Sequence, residues 1–318
     1  MTPQRGLALA ERSGLAAEVV EYLQRTPRQL PSRLLYDALG SALFDAICHL
    51  PWYHVTRAET ALLERHGAQM LAGLPHPLGV AELGGGNGEK LAVLLAHTQG
   101  QVERLRLIDI SSAALDHASQ RLAAFHMPIS TFNGTYEDGL ARLAGWRGRT
   151  PWLVLCLGSN IGNFDPPAAR AFLRRIRQSL RPGDALLLGT DLVKPERDLL
   201  LAYDDPLQVT AAFNRNLLVR LNRDLGATFD LAGFSHRAVW DARRRRVEMH
   251  LVSTQRQTVR IADADLEIRF EPDESIWTES SCKWDSEAVA REGETAGFTA
   301  AGQWIDGGAG FALTRFVV

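Results

Sequence analysis

Cysteine is scarce in this 318-residue chain, and Cys48, Cys156 and Cys282 are odd in number and far apart. They form no CxxC and no Cys/His spacing, which speaks against a disulfide framework and a structural metal and fits a reducing, cytoplasmic setting. Long apolar runs are also missing. No stretch approaches the roughly 20 residues that span a bilayer, and the opening MTPQRGLALAERSG lacks the continuous apolar core of a signal peptide. Neither charge is in excess: 35 Lys and Arg stand against 37 Asp and Glu, a net of -2. That balance gives no electrostatic case for nucleic acid or an anionic membrane. The densest basic run, residues 243–246, reads as a solvated hairpin tip. Repeats and low-complexity segments are absent. With 46% hydrophobic and 23% charged residues, the composition is that of a soluble globular enzyme with one large domain or two ordinary ones.

Glycine, by contrast, is concentrated in one place. In GVAELGGGNGEKLAVLLAH, which begins at Gly79, Gly84, Gly85, Gly86 and Gly88 fall between a predicted strand at 77–83 and a predicted amphipathic helix at 89–97. Glycine costs backbone entropy, and one or two would serve a plain turn. A cluster at a strand-to-helix junction predicts a ligand lying directly against the backbone.

The surrounding pattern sets this loop in a sheet. GVAEL, RLRLIDI, PISTFNG, WLVLCLG and DALLLGTD read as strands, with helices between them at KLAVLLAH, SAALDHASQRLAAF, YEDGLARLA and AARAFLRRIRQSL. Such alternation predicts a mostly parallel sheet covered on both faces. The first 75 residues read as helices: one over 32–50, broken at Gly40 and stopping before Pro51, and another over 58–74. After Asp191 the composition shifts again. Residues 199–226 read as helical, 236–261 as a hairpin, and 286–297 as a last helix. AAGQWIDGGAGFALTRFVV closes the chain with two strands around an Asp-Gly-Gly turn.

A nucleotide-binding sheet that ends in an antiparallel hairpin resembles the S-adenosylmethionine (SAM)-dependent methyltransferases, as does the turn LRPGDALLLG before the fifth strand. The dinucleotide fingerprint GxGxxG is not met, because Gly88 comes one residue early. Asp109 closes the second strand, where a carboxylate can accept both hydroxyls of a ribose or cap the following helix.

Several stretches together resemble one narrower family, the histidine-specific SAM-dependent methyltransferases, whose L-histidine Nα-methyltransferases make trimethylhistidine (hercynine) for ergothioneine. They are LLYDALGSALFDAICHLPWYHVTRAE, ELGGGNGEK, LGSNIGNFD, AYDDPLQVTAAFNRNLL, RVEMHL and TESSCKW. The resemblance implies an α/β fold: a Rossmann-like SAM-dependent methyltransferase core with a C-terminal antiparallel hairpin, plus a second α+β substrate-binding domain. The core would comprise residues 61–194 and 286–318, and the second domain 8–60 and 195–285. It implies that Gly84, Gly86, Lys90 and Asp109 hold SAM, with Thr135 and Tyr136 around the adenine. Tyr53, Asn163, Tyr203, Met249, Glu279 and Ser281 would hold L-histidine, and Gly158 would lie where the two ligands meet. Gly158, Asn163 and Tyr203 would serve the transfer itself, in a chain expected to act as a monomer. Four features depart from the family pattern: Thr135 replaces a usual Asp, Asn160 a frequent Thr, Pro51 and Trp52 differ, with Trp52 in place of a usual acidic residue, and the loop reads GGGNG.

The residue types suit that chemistry. Asn163 and Tyr203 are neutral donors able to bind a carboxylate without burying another charge. Glu279 and Ser281 stand two apart in a predicted strand, so both side chains face one side and can meet the two nitrogens of an imidazole. An indole offers only one N–H, so Glu279 favours histidine over the alternative substrates, tryptophan or another aromatic amino acid. A relative that binds without turnover is the other reading, for which Thr135 and Asn160 speak. No His or Lys in the matched motifs stands out as a base for the amine.

Overall fold

The structure, a computed structural model, describes residues 9–146 and 148–318. In chain order the helices are α1 (Leu9–Leu23), α2 (Ala38–Cys48), α3 (His54–Leu71), α4 (Glu89–Leu95) and α5 (Ser112–Leu122). They continue as α6 (Tyr136–Trp146), α7 (Pro166–Ser179), α8 (Glu196–Tyr203), α9 (Val209–Leu225) and α10 (Ser286–Thr295). The strands are β1 (Arg28–Gln29), β2 (Leu78–Leu83), β3 (Val102–Asp109), β4 (Ile129–Asn133), β5 (Trp152–Cys156) and β6 (Ala185–Asp191). After them come β7 (Phe234–Asp241), β8 (Arg246–Ser253), β9 (Gln257–Ile261), β10 (Leu266–Phe270), β11 (Ser275–Cys282), β12 (Thr299–Asp306) and β13 (Phe311–Val317).

The chain divides into two compact units. One holds the described residues up to Ile47 with Glu196–Asp241 and Val247–Ser280; the other holds Cys48–Pro195, Ala242–Arg246 and Ser281–Val318. The first break falls at 47/48, whereas the sequence reading divides at 60. The whole of α3 belongs to the larger unit, because Glu59 on it bonds to the loop after β5 and Arg315 on β13 donates to the carbonyls of Met70 and Ala72.

In the larger unit one sheet has the order β12-β13-β6-β5-β2-β3-β4. β6, β5, β2, β3 and β4 run parallel to one another, and β13 runs antiparallel to both β6 and β12. β2, β5 and β6 are buried at every residue, which explains their mostly apolar sequences, with Glu82, Thr190 and Asp191 as buried polar exceptions toward the strand ends; β12, at an edge, alternates. The winding reverses at β2, flanked by β3 and β5, so the loops after β2 and β5 border the crevice where such sheets bind ligands. Asp184 prepares the approach to β6 by accepting the N–H groups of Trp152 and Arg181, both at 2.8 Å.

The smaller unit is α+β. Its sheet has the order β1-β11-β8-β7, and β9 and β10 form a separate antiparallel pair. Two of its helices differ from the sequence reading. Gly40 does not break a helix; it lies inside α2, where a Cβ would fall 1.7 Å from the Leu35 carbonyl oxygen. Its glycine serves close approach, and the break comes just before, where Asp37 accepts the Gly40 N–H at 2.8 Å. Residues 199–226 are not one helix. Asp205, buried, accepts the N–H groups of Val209 and Thr210 at 3.1 and 2.8 Å and starts α9 afresh after α8, and Pro206 disfavours helical backbone at Asp205.

Residues 243–245 lie in the turn joining β7 to β8, the hairpin tip read from the sequence, and Arg246 opens β8. None of the three cysteines is bridged to another. Among the described residues no helix is long and apolar enough to cross a membrane, and no group of three or more His, Cys, Asp or Glu is placed to hold a metal.

Candidate functional site

The glycine loop has the geometry its composition implies. Gly84, Gly86 and Gly88 have φ of +70°, +56° and +75°, a region that side-chain-bearing residues rarely adopt. At Gly84 a Cβ would lie 2.6 Å from the Tyr136 hydroxyl and 2.7 Å from Asn160 Nδ2. At Gly85 it would lie 2.3 Å from Glu82 Oε2. Only glycine lets the loop close on these groups. Around the Cβ position of Gly86 there is open space, the room a bound molecule needs.

Asp109 faces this loop from the end of β3. One carboxylate oxygen accepts the Gly86 N–H at 3.3 Å and the other the Ser111 N–H at 2.9 Å. Burial pushes its pKa up, while these backbone donors pull it down. The capping role falls instead to Ser111, whose hydroxyl accepts from Ala114 at the start of α5. Asp109 is thereby left as a fixed pair of acceptors beside the open side of the loop, matched to a diol.

Asn160 ties the two crevice loops together, donating to the carbonyls of Leu83 at 3.4 Å and Gly84 at 3.2 Å. Gly158 has φ +73°, and a Cβ on it would come 3.3 Å from Lys90 Nζ. Lys90 pairs with Glu59 at 2.6 Å, and Glu59 also accepts the Gly158 N–H. Burial works against the Lys90 charge, but Glu59 outweighs it and holds the ammonium above its usual pKa. Under the loop, burial pushes Glu82 up to about 8, with Lys90 opposing in part. Its Oε2 is buried without a hydrogen-bond partner among the described residues.

Thr135 stands at the start of α6. Its hydroxyl accepts the Asp138 N–H at 3.2 Å and donates to the Asp138 carboxylate at 3.0 Å. The Thr-x-x-Asp spacing of a helix-capping pair was legible in the sequence. Tyr136 follows it, with burial pushing the hydroxyl pKa up.

The larger unit also carries three of the predicted substrate residues. Tyr53 is buried just before α3. Asn163 is exposed at the end of the short helix Asn160–Asn163. Ser281 is buried, and its hydroxyl accepts from Lys283 at 2.8 Å. A Cβ on Gly162 would meet Ser281 Oγ at 3.4 Å, so Ser281 lies against the helix that carries Asn163. The loop around Gly158, Asn163 and Ser281 therefore forms one group.

In the smaller unit a buried polar relay joins the backbone carbonyls of Tyr203 and Met249 through Thr278, the neighbour of Glu279 in the chain. His236 Nε2 donates to the Tyr203 carbonyl at 2.8 Å, and Asn214 Nδ2 donates to His236 Nδ1 at 2.9 Å. Thr278 Oγ1 lies within reach of Asn214 Oδ1 at 2.7 Å and of the Met249 carbonyl at 3.0 Å. Glu279 is buried rather than solvated, and the Tyr36 hydroxyl donates to it at 3.5 Å. Tyr36 packs edge-on against Phe44 and Phe213, so an aromatic wall adjoins the carboxylate.

The sequence reading passed over Glu59, His236, Asn214 and Lys283. Glu59 had a signal: it occupies a position in the apolar stripe of α3 formed by Val55, Ala58, Leu62 and Leu63, where a charge needs partners.

An open sheet wound about β2, closed by an antiparallel hairpin and carrying a glycine cradle opposite an acid, is the Rossmann-like core of a SAM-dependent methyltransferase. The profile of the family described as "Histidine-specific methyltransferase, SAM-dependent" matches residues 15–318, and the chain belongs to that family. It is 38% identical to a histidine N-alpha-methyltransferase of Mycobacterium tuberculosis over 94% of each chain. A histidine N-alpha-methyltransferase of Mycolicibacterium smegmatis is 39% identical over 95% of this chain and 94% of that one. The ergothioneine biosynthesis protein 1 of Neurospora crassa is 29% identical over 88% of this chain and 32% of its own length. The chain is thus a SAM-dependent methyltransferase.

Proposed function

We propose that the chain methylates the α-amino nitrogen of L-histidine, three times in succession, to give trimethylhistidine (hercynine). The observation that carries this reading is the burial of Glu279 beside the Tyr36 hydroxyl. A carboxylate withdrawn from water must be met by N–H or O–H donors, and an imidazole N–H is such a donor. Ser281 supports it: an oxygen that accepts from the Lys283 ammonium keeps its own proton to donate, and an unprotonated imidazole nitrogen would be a fitting acceptor.

When bound, SAM supplies an electrophilic methyl group on a sulfonium. Asp109 would take the ribose hydroxyls, and the backbone of Gly84 and Gly86, with Lys90, would hold the methionine end. Thr135 and Tyr136 would border the adenine, Thr135 through its backbone or water because its hydroxyl caps α6. By the family resemblance, Asn163 and Tyr203 would each donate to the histidine carboxylate, and Tyr53, Met249 and Gly158 would be among the residues that hold the amino acid. Alignment is the main catalytic device, because holding amine and methyl in line makes the displacement effectively unimolecular. The amine attacks in its neutral form, and a backbone carbonyl or water takes its proton. The aromatic faces around Tyr36 suit an ammonium that grows with each transfer.

On this reading the larger unit is the SAM-binding domain and the smaller one the substrate-binding domain, in a cytoplasmic monomer. Incubation with SAM and each of the common amino acids, read by mass spectrometry, tests it: histidine gaining three methyl groups is expected, and another amino acid methylated in its place would overturn it. Sedimentation would test the oligomeric state.

A further inference from the structure

Glu59 is fully buried on α3. A carboxylate is tolerable there only if its oxygens are hydrogen-bonded and its charge is matched. The crevice loops meet both conditions. The Gly158 N–H lies 3.0 and 2.8 Å from the two carboxylate oxygens, and Lys90 Nζ lies 2.6 Å from Oε2. Space for the side chain comes from Gly189 on β6, where a Cβ would fall 2.0 Å from Glu59 Oε1. Three elements therefore converge on one side chain: α3, the first turn of α4, and the loop after β5.

We propose that Glu59 is a positioning residue for methyl transfer: one carboxylate fixes the Leu157–Gly158 peptide and the Lys90 ammonium relative to each other. The inference rests on the reading that these loops hold SAM and the attacking amine. Because a trans peptide is planar, directing the Gly158 N–H at Glu59 turns the Leu157 carbonyl the opposite way. A carbonyl fixed in that direction takes the Asn160 N–H at 3.4 Å on one lone pair and can accept an amine N–H on the other, and so aim the nitrogen lone pair. Lys90, held on the same carboxylate, keeps α4 and the end of the glycine loop in register with it.

Glu59→Gln separates the two duties. The amide oxygen can still accept from Gly158, but the amide N–H groups face the Lys90 ammonium, donor against donor. The folded variant should bind S-adenosylhomocysteine about 10-fold more weakly by calorimetry and lose about 10-fold in kcat at saturating substrates. Leu62→Ala, a cavity in the same helix, is the structural control: it should lower Tm while leaving that affinity within about 2-fold of wild type. In 15N-labelled protein the Gly158 amide resonance should move in Glu59→Gln and stay in Leu62→Ala.

The inference is overturned if Glu59→Gln keeps both affinity and kcat within about 2-fold, or if Leu62→Ala at an equal loss of Tm shows an equal loss of affinity. Should Glu59→Gln not fold, Glu59→Asp keeps the charge on a shorter arm; wild-type affinity and kcat there overturn the inference, and a fall of about 3-fold or more in both supports it. S-adenosylhomocysteine binding is read without any amino acid, so a wrong substrate assignment would leave that arm of the test intact.

Discussion

The ammonium of Lys283 donates to the Ser281 hydroxyl at 2.8 Å and pairs with Asp191 at 2.9 Å, its side chain wholly enclosed. The other oxygen of Asp191 takes Lys194 at 2.6 Å. Lys283→Met should cost about 3–5 kcal/mol, the usual result of removing one partner of a buried ion pair. Ser281→Ala leaves the ion pair in place and should cost only about 1–3 kcal/mol for the donor left unsatisfied. Urea denaturation of both variants checks the order.

Asp109 and Gly84 test the proposed cofactor site by different routes. Asp109→Asn keeps the shape but loses the charge, so S-adenosylhomocysteine affinity should fall by about 1.5–3 kcal/mol. Gly84→Val forces a branched side chain onto the Tyr136 hydroxyl and Asn160, at a backbone φ of +70°. It should abolish detectable binding. Calorimetry on both, with circular dichroism to verify folding, is the check.

Glu279→Ala should lower kcat/KM for histidine by at least about 10-fold, the equivalent of one charge-assisted hydrogen bond. Tryptophan, if it reacts at all, should be penalised less, because an indole gains from a larger and less polar pocket. Steady-state assays with both amino acids separate a recognition carboxylate from a structural one, which would leave the ratio unchanged.

His236 gives stability a pH dependence whose sign can be worked out. Burial holds its imidazole below the usual pKa, with the Tyr203 carbonyl pulling the other way. Protonating Nδ1 would set it donor to donor against Asn214. As pH falls below about 6.5 the unfolded chain takes up a proton that the folded chain refuses, so stability is lost with acidification and is level above that pH. His236→Gln removes this titration. Between about pH 7 and pH 5 the Tm of wild type should fall more steeply than that of the variant, measured by scanning fluorimetry.

Much of the sheet was legible because its central strands are mostly apolar and its helices carry a clear stripe; the predicted strand at 77–83 matches β2 to one residue. Gly40 was misread because a glycine inside a helical pattern is equally a breaker and a point of close approach, and the Leu35 carbonyl that decides between them lies five residues away. The residues proposed to hold the cofactor carried signals in short stretches, glycines beside a strand end and an acid closing the next strand. The relay of His236, Asn214 and Thr278 did not, since its members come from β7, α9 and β11. Their types are ordinary for surface positions, and only folding makes them one network.

Gly189 and Glu59 are locked together by volume: the strand has no Cβ because the carboxylate occupies its place. The consequence is historical as much as physical. A descendant chain that gains an alanine at 189 must move the Glu59 carboxylate off its partners, and one that loses the glutamate first strands Lys90 and the Gly158 amide. Each single step carries a cost that the joint change lessens, so the two positions should tend to change together through evolution.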